Sequence, residues 1–129
     1  MTDRRYLLDS NICIYVLEGA EDRAMLRLAL ERLTPGAAVT SAITYAEVLR
    51  GRNHLAHEHG DLTARFFATF PVLPFDAEAA RWFVDLPFRR CKFDHLIAAH
   101  ALALDLTLVT ANARDFADIP NLRVEDWTR

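Results

Sequence analysis

Three short apolar runs constrain the fold of this chain more than any other feature. Residues 5–9 around "YLL", "AAVTS" at 37–41 and "LTLVT" at 106–110 read as short strands, the first and last of them buried. The first leads into "SNICIYVLEG", where Ile12, Tyr15 and Val16 keep helical spacing and Gly19 is a stop. "EDRAMLRLALERL" sets Met25, Leu26, Leu28, Leu30 and Leu33 among charges at helical period and ends at Pro35-Gly36. After "AAVTS" the helical pattern resumes from Ser41 or Thr44 to Gly51, and a further helix runs from about residue 53 to Phe70.

"PVLPFD" reads as another strand, "AEAARWFVDL" as a helix and "PFRRCKF" as a basic loop. "DHLIAAHALAL" is an amphipathic helix, "ANARDFADIP" a loop with at most one helical turn, and "LRVEDW" a terminal strand. Strands that alternate with helices need crossover connections. The expected fold class is therefore α/β, with a mainly parallel central sheet covered on both faces. A length of 129 residues fits one domain over 1–129, and no repeat or linker divides it.

Composition narrows the setting. With 52% apolar and 26% charged residues the chain is globular, and no span of about 18 uncharged apolar residues or signal-like segment occurs, so a soluble, cytoplasmic protein is expected. Cys13 and Cys91 lack metal-ligand spacing and are expected to be reduced thiols. The net charge of −3 argues against a uniformly cationic surface, although 14 of the 15 basic residues are Arg, whose planar fork suits phosphate.

Four acids occupy comparable places: Asp9 after the first strand, Glu47 one turn into the helix after the second, Asp94 at the opening of "DHLIAAHAL", and Asp115 just beyond "LTLVT". In an open parallel sheet the carboxyl ends of the strands share one edge, where ligands bind, so the four can converge. Each also fits a local role. Asp9, Ser10 and Asn11 are all N-cap types, Thr44 and Glu47 have capping-box spacing, Asp94 suits a first helical turn, and Asp115 fits a loop. Ser10 or Asn11 can take the cap and leave Asp9 for other work. Carboxylates brought close together raise one another's pKa or require a cation. An all-oxygen set suits Mg²⁺ or Mn²⁺ rather than zinc, and such a site supports phosphodiester hydrolysis.

"YLLDSNICIYVL", "SAITYAEVLRG", "FDHLIAAHALALDLTLVTANARDF" and "IPNLRVEDW" together resemble the PIN-domain ribonucleases, most closely the VapC toxins of bacterial toxin–antitoxin pairs, over nearly the whole chain. The resemblance implies a three-layer α/β/α sandwich and a Mg²⁺- or Mn²⁺-dependent endoribonuclease. It also implies inhibition by a cognate VapB-like antitoxin, homodimers, and larger assemblies with that antitoxin. By motif, Asp9, Glu47, Asp94 and Asp115 become the metal-binding and catalytic acids. Thr110 orients an acid or water, Asn112 hydrogen-bonds near the metal, and Ser10 supports the site. The chain departs from the family at "DLPFRRCKFDHL", where Cys91 or Lys92 stands in place of an additional acid, which favours a single ion. Arg89, Arg90 and Lys92 there are candidates for RNA phosphates. The rival reading is a degenerate PIN-like domain that binds RNA or a partner without cutting; a metal-dependent phosphatase or DNA nuclease is a third. His54, His57 and His59 are expected on a polar helical face, and His100 is expected to be packed rather than catalytic.

Overall fold

A computed structural model describes residues 3–19, 23–52, 56–87 and 92–129, the side chains of 52, 56–60 and 92 excepted. Five parallel strands form one sheet: β1 (Tyr6–Leu8), β2 (Ala38–Ser41), β3 (Val72–Leu73), β4 (Thr107–Val109) and β5 (Val124–Glu125), in the order β3-β2-β1-β4-β5. The helices are α1 (Ser10–Glu18), α2 (Ala24–Glu31), α3 (Ala42–Arg52), α4 (Ala56–Thr69), α5 (Ala77–Val84) and α6 (Lys92–Leu104), with a 3-10 helix at Ala113–Phe116. Every strand expected from the apolar runs is present. β3 is only two residues long because Pro71 and Pro74 flank it and offer no ladder amide.

The period-two alternation of the strands assigns the two cores. Leu8, Ala38 and Val109 point into one, where they pack with Ile12, Leu17, Leu26, Val48, Phe66 and Phe67 from α1, α2, α3 and α4. Leu7, Val39 and Leu108 point into the other, against Ile97, Ala98 and Ala101 of α6 and Phe116 of the 3-10 helix. The result is the expected three-layer α/β/α arrangement. Gly19 ends α1 in the left-handed region at φ 67°, as its position in the sequence implies. Trp127 stacks edge-on against Tyr6 with ring centroids 4.8 Å apart and so anchors the chain end over β1. Trp82, by contrast, is among the exposed residues rather than in the core.

The strand order matters for function. Chain direction across the sheet reverses at β1: β2 and β3 extend to one side, β4 and β5 to the other. The crevice beyond the carboxyl ends of β1 and β4 is thus the topological switch point, where a doubly wound sheet binds its ligand. Leu8 pairs with Val109, so the next residues along, Asp9 and Thr110, face each other across that crevice.

Candidate functional site

Backbone bonds fix the two residues at the crevice before any side chain is considered. The Asp9 amide donates to the Val109 carbonyl at 2.9 Å and the Thr110 amide to the Glu125 carbonyl at 3.0 Å, extending the ladder one residue past each strand. The Asp9 side chain is 2% exposed. Its Oδ1 accepts the Ser10 amide at 2.8 Å and its Oδ2 accepts the Thr110 hydroxyl at 2.8 Å. Thr110 Oγ1 itself accepts the Asn112 amide at 3.1 Å and the Asn11 side-chain amide at 3.4 Å. With its lone pairs engaged, the hydroxyl has one place for its proton, the Asp9 carboxylate.

Asp9 is itself the N-cap of α1, and Ser10 lies inside the helix. This corrects the expectation that Ser10 or Asn11 would cap in its place. A carboxylate has lone pairs to spare beyond one cap bond, so capping and a second role coexist. Asn11 does other work: its Oδ1 accepts the Ala111 amide at 3.2 Å and its amide reaches Thr110, lacing α1 to the loop after β4. Only its place beside Asp9 could have signalled this in the sequence.

Burial pushes the Asp9 carboxyl up to about 6 from an ordinary 3.8; Thr110 and the Ser10 amide pull against that rise, and the charges of Asp94 and Glu47 add to it. Glu47 is likewise raised, first by burial, with a Ser10 hydrogen bond opposing and Asp94 adding. Three carboxylates therefore act on one another at the sheet edge. Glu47 Oε1 is buried without a hydrogen-bond partner among the described residues, which leaves it available to a ligand. The capping-box role considered for Thr44 and Glu47 does not arise, because α3 starts at Ala42 and Ser41 Oγ accepts the Ile43 amide at 3.1 Å. Asp94 stands in the first turn of α6.

Asp115 is exposed on the 3-10 helix and lines a polar cavity of about 490 Å³ with Asn112, Arg114, Asp126 and Arg129. Phe116 is buried against α6, which fixes the rotation of that helix and turns the preceding Asp115 outward. Asp9, Glu47 and Asp94 are coupled through their charges. Asn112 is exposed and contributes its backbone amide to Thr110. Arg89, Arg90, Cys91 and His54 lie outside the described residues, as do the side chains of Lys92, His57 and His59. His100 is buried, as expected, and its role is taken up below.

An oxygen-only donor set with one orphaned carboxylate oxygen fits a hard divalent cation. Among the described residues no three His, Cys, Asp or Glu side chains already enclose a common position. The Thr110 bond to Asp9 gives a sharp expectation. Thr110→Val, which removes that bond and orphans two donors, is expected to weaken Mn²⁺ binding about ten- to a hundredfold by calorimetry, while Thr110→Ser stays within a few-fold of wild type in the same titration.

A family model described as "PIN domain" matches residues 6–122, and the chain belongs to the PIN-domain family. Within the family it is similar to VapC proteins. It is 28% identical to the tRNA(fMet)-specific endonuclease VapC of Shigella flexneri, with 96% of this chain and 98% of that protein covered. It is 30% identical to ribonuclease VapC1 of Haemophilus influenzae (strain R2866) at the same coverage of each. Among solved structures, DNA-bound VapBC from Salmonella typhimurium superposes with a TM-score of 0.83 at 28% identity, covering 96% of this chain and 98% of that one. VapBC2 from Rickettsia felis bound to promoter DNA gives 0.77 at 27% identity, with 95% and 98% covered. PIN-domain ribonucleases use divalent metal ions. No described helix is long and apolar enough to cross a membrane.

Proposed function

We propose that the protein is a VapC-type ribonuclease, the toxin of a toxin–antitoxin pair, and that it hydrolyses RNA phosphodiester bonds at the carboxyl edge of its sheet. The observation that carries this reading is the buried Asp9 carboxylate at the switch point, held by Thr110 and the Ser10 amide and facing the charges of Glu47 and Asp94. Asp9, Glu47 and Asp94 hold one Mg²⁺ or Mn²⁺, with water in the remaining positions. A bound ion of this kind lowers the pKa of a water and neutralises charge growing on the phosphoryl oxygens. Asp9 supplies a rigid ligand because both its oxygens are fixed. Glu47 supplies the oxygen that has no hydrogen-bond partner among the described residues. Thr110, Asn11 and Ser10 keep the carboxylates aimed, and the backbone amide of Asn112 keeps Thr110 aimed in turn.

Asp115 and the Asn112 side chain act at the rim, toward substrate, and Arg89, Arg90 and Lys92 are assigned to RNA phosphates on charge alone. The substrate is RNA, and tRNA(fMet) is the first to offer, since the Shigella and Salmonella relatives are named for it. The partner is a VapB-like antitoxin, as in the VapBC complexes, with homodimers and larger toxin–antitoxin assemblies following the family pattern. The cytoplasm, where its RNA substrate is, is the assigned compartment.

The purified protein is expected to cut tRNA with Mg²⁺ or Mn²⁺, to stop in chelator and to recover when the metal is restored. Cleavage that persists undiminished in chelator would refute the metal-dependent reading. Tight RNA binding without cutting in either metal would favour the degenerate, binding-only domain.

A further inference from the structure

A second buried polar pair lies behind the carboxylates. Ser41, the last residue of β2, and His100, in the middle of α6, are 0% and 1% exposed, and Ser41 Oγ meets His100 Nδ1 at 2.8 Å across 59 residues of sequence. Ser41 Oγ also accepts the Ile43 amide, so the same atom starts α3. The His100 ring is gripped on its other sides by Phe75, edge-on with centroids 5.5 Å apart, and by a backbone hydrogen bond with Pro74, which has only a carbonyl to offer. Whichever atom carries the proton, the bond closes between α6 and the residue that leads β2 into α3.

Those two helices carry Asp94 and Glu47. Asp94 lies six residues before His100 along α6, about 9 Å at 1.5 Å per residue, and Glu47 lies six residues after Ser41, which immediately precedes α3. Apolar packing between the layers, with Ile43 and Ile97 in one cluster, is non-directional and leaves sliding and rotation open. A buried hydrogen bond is directional and leaves an orphaned group if either helix shifts. We propose that the Ser41–His100 pair is a positioning device for the metal centre, setting the register of α6 against α3 so that Asp94 and Glu47 converge on Asp9. This rests on the reading of those acids as metal ligands.

The test is Mn²⁺ binding by calorimetry, below the melting temperature, for wild type, His100→Leu, His100→Gln and Ser41→Ala. His100→Leu and Ser41→Ala are expected to weaken Mn²⁺ about ten- to a hundredfold, the range for residues that orient metal ligands. His100→Gln, which can still bond Ser41, is expected to recover most of the loss. The double variant should be no weaker than the worse single one, because the two act as a unit. Leu26→Ala, a truncation on α2 in the core cluster built by α1, α2, α3 and α4, controls for lost stability and is expected to bind Mn²⁺ like wild type. If His100→Leu fails to fold, Ser41→Ala decides by the same criterion. Folded His100→Leu or Ser41→Ala binding Mn²⁺ within twofold of wild type, or a Leu26→Ala loss as large as that of His100→Leu, would overturn the positioning role. No binding by wild type would overturn the metal centre itself, and this role with it.

Discussion

Asp9→Asn is expected to lower RNA cleavage by about a thousandfold, roughly 4 kcal/mol of transition-state stabilisation, while the domain stays folded. The substitution keeps the size and planarity of the side chain, so the crevice between β1 and β4 is not emptied. It removes the charge, and with it the strongest attraction for a divalent ion at the switch point. An oxygen remains to accept the Ser10 amide or the Thr110 hydroxyl but not both, which loosens the side chain as well. Rates measured under single-turnover conditions with wild type and variant at equal folded fraction decide the matter. Cleavage within tenfold of wild type would remove Asp9 from the chemistry.

The second large effect is on stability and follows from the cause of the raised Asp9 pKa. A carboxyl at about 6 in the fold and 3.8 when released binds more protons folded than unfolded between those values. Its stabilising contribution is therefore complete below pH 4 and is lost as pH rises through 6. At 1.36 kcal/mol per pH unit the loss is about 3 kcal/mol, and Glu47, shifted in the same direction, adds to it. Urea unfolding in chelator should thus show wild type losing stability between pH 4 and 7, and Asp9→Asn losing about 3 kcal/mol less over the same range. Adding Mn²⁺ at pH 7 should restore wild type and leave Asp9→Asn unmoved, by mass action on the folded state. Equal pH dependence in the two proteins would mean that the crevice does not strain the charged form of Asp9.

Much of this was legible in the chain. The short apolar runs marked β1, β2 and β4 because strands of a covered parallel sheet read that way, and Gly19 marked the end of α1 because only a left-handed residue closes a helix that way. Asp9, Glu47 and Asp94 were visible as acids following strands or opening helices. What the spacing could not disclose is direction. Asp9 directly follows β1, but Asp115 comes six residues after β4, on a 3-10 helix whose rotation is set by the buried Phe116, and that is a tertiary contact. Nor does sequence show sharing: Asp9 caps α1 and faces the crevice at once, using different oxygens, so asking whether it was cap or ligand posed a false choice. Ser41 and His100 looked like a strand end and a packed helix residue; their bond joins positions 59 apart and has no local signature.

The central claim is that Asp9, Glu47 and Asp94 hold a single divalent ion. Mn²⁺ titration by calorimetry of wild type, Asp9→Asn and Glu47→Gln at pH 7.5 tests it most directly, since it needs no knowledge of the RNA. One ion per chain is expected for wild type, with binding abolished in Asp9→Asn and weakened at least tenfold in Glu47→Gln. Binding by Asp9→Asn equal to that of wild type, or no binding by any of the three, would contradict the account.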